Sequence, residues 1–374
     1  MNADAEIRLA TRGSELAVRQ ATTIKSQLES RRRSVSLVEV ETTGDAIQDE
    51  LIHRLGKTGA FVRSLDEKVL SGELDAAVHS LKDMPTEMPD TLVVAAVPER
   101  APSGDVLVTA DGTAVDQLSP EAVVGTSSLR RKAQLLAARP DLDIVPLRGN
   151  VDTRLEKLLA PSLQAEHERL LDADDNDGLQ DPDEWFDSLS TLEQSAMERR
   201  VETEMDAIVL AEAGLRRSGL LEAVETARLP RESFVPSPGQ GAIAITASNP
   251  QTVETIREAL DHPRTRVETT VERTVLAEVG GGCIAPIGVS ALLKGECVQT
   301  RAQILSHDGS EVIEATRDLP VSNHGSAAAD FAADLRDRGA AELIAAARDI
   351  AGADGAETVM QRDDNESVSE DTNG

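Results

Sequence analysis

The sequence predicts an α/β chain of two hinged lobes followed by a smaller α/β region, and three observations carry that prediction. Short apolar runs alternate with segments of helical periodicity across residues 6–98, the pattern of strands joined by helical crossovers. The alternation then resumes after a stretch rich in proline and glycine, PERAPSG at 98–104. A second such stretch, PSPGQG at 236–241, precedes an apolar run at 242–247 that is expected to return to the first unit. Two crossings between two lobes make a cleft with a hinge, a common way to close around a small molecule.

Taken in order, Ile7 to Ala10 is a short apolar strand followed by Thr11-Arg12-Gly13-Ser14 and a helix with Leu16, Ala17, Ala21, Ile24 and Leu28 on one face. A strand near 37–41, a helix at 61–70, a strand Ala76-Ala77-Val78-His79-Ser80 and a strand at 92–97 complete the first unit, all strands parallel. The second unit has strands near 106–109, 123–125, 144–147 and 207–210. A third region begins near 261: a helix marked by Val267, Val271, Val275, Leu276 and Val279 stops at Gly280-Gly281-Gly282, with Cys283 next. Strands at 298–305 and 311–316 read as a hairpin around His307-Asp308-Gly309-Ser310, and 340–350 as an alanine-rich helix. The expected domains are 1–99 with 240–258, then 104–236, then 261–352, with 353–374 an acidic disordered tail.

Residues 160–203 break the rhythm and read as an acidic helical insertion within the second domain. Their run Asp172-Ala173-Asp174-Asp175-Asn176-Asp177-Gly178 has the glycine of a calcium loop, but Ala173 holds the first position, where a carboxylate is required.

Function is most legible at residues 122–136, AVVGTSSLRRKAQLL. Val123 and Val124 end a strand, Gly125 to Ser128 form a hydroxyl-rich turn with a ready N-cap, and a helix opens at once. Such a turn presents free backbone N–H groups and hydroxyls at one point. Arg130 and Arg131 oppose the helix dipole there, so they point to an anion; two solvated surface arginines are the plainer alternative. Because strand ends at Arg12-Gly13-Ser14 and at Lys82-Asp83 repeat the device, the simplest ligand carries several carboxylates, gathered outside the carboxyl ends of the strands.

Composition narrows the partners. A formal charge of −29 argues against nucleic acid or an anionic membrane as the main partner. Of the 38 basic residues only seven are lysine, and the acids are spread along the chain, as on the solvated surface of a protein from a salt-loaded cytoplasm. No run approaches the ~18 apolar residues of a membrane span, and no export signal opens the chain, so a cytoplasmic location is expected. Two cysteines and six scattered histidines give neither a disulfide framework nor a metal site.

Two residues stand out as carriers of chemistry. Cys283, after three glycines, has room beside its sulfur for something bulky, although a small buried hydrophobe is an equally good reading of the residue alone. Asp83, at a strand end before Met84-Pro85, could stabilise a developing cation or move protons, or else cap a turn or pair with Lys82. Cys297 lies in a strand-like run and reads as structural. A two-lobed binding protein for a carboxylate ligand would use the same cations but needs neither Cys283 nor Asp83. A thiol-dependent hydrolase would need a base near Cys283, and the sequence offers none.

Six motifs in one order then resemble a family: ATRGS at 10–14, AVHSLKDMP at 77–85, VGTSSLRR at 124–131, LRGNVDTRL at 147–155, GQGA at 239–242 and GGCIAPIG at 281–288. Together they resemble porphobilinogen deaminase, also called hydroxymethylbilane synthase, from about residue 6 to 350. The resemblance implies two lobes like type II periplasmic binding proteins and a small α/β third domain. It implies that Cys283 holds a dipyrromethane cofactor by a thioether, built by the enzyme from its own substrate; a monomer is expected. Four porphobilinogen molecules would be joined head to tail on this primer with loss of ammonia, and water would release hydroxymethylbilane for tetrapyrrole synthesis. Asp83 would stabilise the azafulvene-like cation. Lys82, Thr126, Ser127, Ser128, Arg130 and Arg131 would bind the cofactor, and Arg12, Ser14, Arg148, Arg154 and Arg217 the substrate carboxylates. Three departures are visible: the family lysine is displaced in GKTGAF at 56–61, Thr246-Ala247-Ser248 replaces a Glu-Cys-Arg-like run, and 160–203 has no family counterpart.

Overall fold

The computed structural model describes residues 5–30, 33–40, 60–172, 180–281, 285–347 and 349–350. Cys283, Lys57 and the calcium-like loop at 173–178 lie outside them, as does the tail from 351.

The first lobe is a five-stranded sheet of β1 (Ala5–Arg12), β2 (Arg33–Val40), β3 (Ala76–Ser80), β4 (Val93–Ala96) and β10 (Ile243–Ala247), in the order β2-β1-β3-β10-β4. The second repeats the arrangement with β5 (Asp105–Val108), β6 (Val123–Gly125), β7 (Asp143–Val145), β8 (Ala207–Ala211) and β9 (Thr226–Arg228), ordered β7-β6-β8-β5-β9. β1 pairs in parallel with β2 and β3, and β6 with β7 and β8. β10 and β5, however, run antiparallel to both of their neighbours. The expectation of parallel strands throughout is corrected here, and the reason is the hinge. Each of these strands arrives from the other lobe at the carboxyl ends of the parallel strands, with Asp105 beside Ala211 and Ile243 beside Ser80, so it can only run back through the sheet.

Helices cover both faces of each sheet. Ala21, Ile24 and Leu28 of α1 (Glu15–Leu28) pack on one face of the first sheet with Val253 and Ile256 of α8 (Pro250–Leu260), while Leu65 and Val69 of α2 (Ala60–Leu70) take the other. In the second, Leu107 faces Leu135 of α3 (Leu129–Ala138), while Val106 and Val108 face Leu155 of α4 (Val151–Leu171) and Leu215 of α7 (Glu212–Ser218). This is the two-residue period of a strand buried on both faces. α4 continues through Pro161, and α5 (Pro182–Ser188) and α6 (Thr191–Met197) follow it, so most of the described residues of the acidic insertion are helical.

The third region is an antiparallel sheet of β11 (Ile287–Lys294), β12 (Cys297–Leu305) and β13 (Val312–Pro320), packed through Val289, Ala302 and Ile304 on α9 (Pro263–Glu278) and α10 (His324–Asp337). The hairpin expected at 298–305 and 311–316 is present; β9, β11 and α10 were not anticipated. Residues 340–347 are helical.

The crossings touch each other. Ala101 donates its N–H to the carbonyl of Gly241, and a Cβ at Gly241 would come within 2.5 Å of the Ala101 carbonyl oxygen, at a φ of 82°. Gly241→Ala is therefore expected to destabilise the fold by about 1–3 kcal/mol, read from the midpoint of chemical denaturation.

Candidate active site

Local sequence builds the turn after β6 as expected. Ser128 is the N-cap of α3, accepting from the Arg131 N–H, and Thr126 Oγ1 accepts from the Ser128 N–H at 3.2 Å. Ser127 Oγ is committed to the carbonyl and N–H of Leu147, at 2.9 and 3.0 Å, which ties this turn to the segment carrying Arg148. A Cβ on Gly125 would meet Met205 Sδ at 2.5 Å and Ile208 and Leu147 at 3.1 and 3.2 Å, so a larger residue there would make these side chains shift.

Arg130 and Arg131 are buried, 4% and 6% exposed, and share one internal carboxylate. Arg130 Nη2 reaches Asp105 Oδ2 and Arg131 Nη2 reaches Asp105 Oδ1, each at 2.8 Å, while Gln240 Nε2 donates to Oδ1 at 2.9 Å. Part of the anion that the arginines demand is thus supplied by the chain itself. Asp105 is 2% exposed, and its carboxyl lies well below its usual range because the arginine charges and hydrogen bonds outweigh the burial that opposes them. Arg130 also donates to Gln134 and to the Val235 carbonyl, and Gln134 to Gln303 of β12, so all three regions meet here. Sequence reasoning missed Asp105; its signal is an acid opening a wholly apolar strand directly after the hinge glycine.

One counter-charge does not neutralise the cleft. Arg131 Nε is buried without a hydrogen-bond partner among the described residues. Lys82, from the first lobe, keeps part of its surface open, yet desolvation pulls its pKa below the usual lysine value. Asp83 and Asp105 oppose that shift, while the charges of Arg131 and Arg130 add to it. Arg154 is lowered to about 10, first by desolvation and then by Arg131. Its Nε donates to the carbonyl of Gly149, whose φ of 113° opens the turn before α4. Lys82 of the first lobe and Arg154 of the second therefore each lie within electrostatic reach of Arg131.

Other expected site residues sit around this centre. Asp83 is exposed in the 3-10 turn Leu81–Asp83, between the buried side chains Leu81 and Met84. Arg217 donates to the Gly241 carbonyl at 2.7 Å, and burial lowers its pKa. Arg12 ends β1 and Ser14 is the N-cap of α1, its hydroxyl making no capping bond. Arg148 is partly buried at the end of the segment tied to the turn through Leu147. A further node lies at the hinge: Glu272 of α9 accepts both Nη atoms of Arg100, at 2.8 and 2.9 Å, and the N–H groups of Gly239 and Ala291. Cys297 opens β12 with its Sγ on the Lys294 carbonyl.

Two α/β lobes, each with cations at the carboxyl ends of its strands, and an exposed aspartate next to Lys82 define a two-lobed α/β protein with a cationic site. Residues 7–166 and 192–255 match the family model described as porphobilinogen deaminase, dipyromethane cofactor binding domain, and residues 267–335 match the porphobilinogen deaminase C-terminal domain. A probable porphobilinogen deaminase of Halobacterium salinarum is 51% identical, the match spanning 92% of this chain and 98% of the relative. Another from Methanococcoides burtonii is 37% identical over 90% and 95%, and a porphobilinogen deaminase of Sulfurimonas denitrificans 38% over 91% and 96%. Among solved structures, a periplasmic substrate-binding protein from Coxiella burnetii aligns with 70% of this chain and 94% of its own at 15% identity and a TM-score of 0.36. The chain belongs to the porphobilinogen deaminase family. The family model passes over residues 167–191, which lie within the helical insertion.

Proposed function

We propose that the chain condenses four porphobilinogen molecules head to tail into hydroxymethylbilane, with loss of ammonia at each addition, on a dipyrromethane held by Cys283. The observation that carries this reading is the cation cluster of Lys82, Arg131 and Arg154, with the unpartnered Arg131 Nε, beside Asp83 in a chain of this family. Each porphobilinogen brings an acetate and a propionate, so a growing chain needs many such donors. The dipyrromethane, when bound, supplies the pyrrole carbon from which the product grows.

The chain's own residues hold and polarise the substrate. Lys82, Thr126, Ser128, Arg130 and Arg131 face the primer's carboxylates, with Ser127 bracing the turn, and Arg12, Ser14, Arg148, Arg154 and Arg217 take those of incoming porphobilinogen. Asp83 accepts from the pyrrole N–H and offsets the positive charge that develops as the C–N bond to ammonia breaks. The cationic cleft draws a polyanion through the repulsive field of a −29 surface. That surface, together with a relative from Halobacterium salinarum, supports an enzyme adapted to high salt, and a cytoplasmic monomer belongs to the same proposal.

The intact mass of purified protein tests the reading. A covalent excess of two linked pyrrole units is expected, absent from Cys283→Ser and retained in Cys297→Ser. A mass that is unmodified and never climbs when porphobilinogen is added would sink it.

A further inference from the structure

The turn that carries Lys82 and Asp83 is held from outside its own lobe. Arg273, on α9 of the third region, directs its guanidinium at three carbonyls of that turn. Nη2 donates to Pro85 at 2.6 Å, and Nη1 to Met84 at 3.2 Å and to Leu81 at 3.4 Å. Within the turn, the Leu81 carbonyl also accepts from the Met84 N–H at 3.2 Å, and the Leu81 N–H donates to Ala242 at 3.0 Å. Leu81 and Met84 are each 1% exposed and pack with Val62, Val97, Ala242 and Ala244. The turn is thus anchored by two buried side chains, and its carbonyls are gathered by one planar fork. Asp83 is left exposed and Lys82 partly so. The guanidinium spreads its donors over two nitrogens in a fixed planar fork, which the single nitrogen of an ammonium does not reproduce.

We propose that Arg273 is a positioning residue: it holds the 81–85 turn in the conformation that aims Asp83 and registers that turn against α9. The inference deepens the reading above, on which the role of Asp83 rests. α9 ends at Glu278, five positions before Cys283, so the helix that grips the turn also leads directly to the cysteine. Arg273 thereby couples the group that stabilises the cation left on the substrate as ammonia departs to the segment that leads to Cys283 in the chain.

The same helix supplies its own control. Arg266, seven residues earlier, donates to the carbonyls of Val94 and Ala95, each at 3.1 Å, and pairs with Asp261. It binds α9 to the first lobe without touching the turn. Arg273→Met is expected to lower kcat about 10- to 100-fold, the cost of a small misplacement of a reacting group, with a smaller change in KM. Arg266→Met loses comparable interdomain contacts and is expected to lower thermal stability while kcat stays near the wild-type value. Arg273→Lys should restore stability more fully than kcat. Hydrogen exchange gives a readout independent of turnover: amides of the peptide covering 81–88 should exchange faster in Arg273→Met and not in Arg266→Met. Equal losses of kcat in the two methionine variants, or unchanged protection of 81–88 in Arg273→Met, would overturn the proposal. An inactive wild type whose 81–88 amides still depend on Arg273 would sink the enzymatic reading and leave the clamp standing.

Discussion

Asp83→Asn is expected to lower kcat for porphobilinogen consumption by about 10²- to 10³-fold, the usual cost of removing a preorganised group aimed at charge that develops in the transition state. The carboxamide keeps the size of the side chain and one acceptor oxygen but loses the charge. KM should move little, because the substrate's carboxylates are held by Lys82 and the arginines. Asp83 is exposed in a short turn, so the substitution leaves the core untouched and activity can be read without a folding defect. Single-turnover kinetics of ammonia release would check it, and a fall in kcat of only a few-fold would remove Asp83 from the chemistry.

The second large effect is expected at Asp105. Replacing it with asparagine leaves Arg130 and Arg131 buried without their shared counter-charge, and breaking a buried pair in this way costs about 3–5 kcal/mol. The carboxyl's folded-state pKa lies below its ordinary 3.8. Its contribution is therefore complete above the unfolded value and is lost as pH falls below that value toward the folded one. Wild type should thus lose stability on acidification below about pH 4, and Asp105→Asn should show a shallower acid limb from a lower plateau. Denaturant titrations across pH measure both features; a variant as stable as wild type at neutral pH would show that the arginines find another partner. The loss would also reach the hinge, since Gln240 donates to the same carboxylate from the second crossing.

Much of the fold is local and was legible. The residues 122–136 fold as read because glycine, hydroxyls and an N-cap act within a few positions, and the period of apolar residues marks most strands and helices. What the period could not show is where short or mixed segments belong. β9 has three residues and no apolar rhythm, and β11 carries Ser290 and Lys294 among its apolar residues. α10 has its apolar face built largely of alanine, which weakens the signal that marks a helix. Of the candidate site, the motifs named Lys82, Asp83, Arg130, Arg131 and Arg154, but not what each of them meets. In sequence Arg130 and Arg131 point to an external anion, whereas Asp105, some 25 residues upstream, already takes one charge.

By itself, the sequence determined the α/β alternation, the two hinge crossings, the acidic surface and the set of cations at strand ends, because these follow from neighbours along the chain and from composition. Only the tertiary structure decided that β5 and β10 run antiparallel, that Asp105 and Gln240 close a network over the arginines, and that Arg273 grips a turn 188 residues away from it in the chain. The reason is physical. Helix and turn preferences are settled within a few residues, whereas the partner of a buried charge is whichever group the packed lobes bring within hydrogen-bond distance.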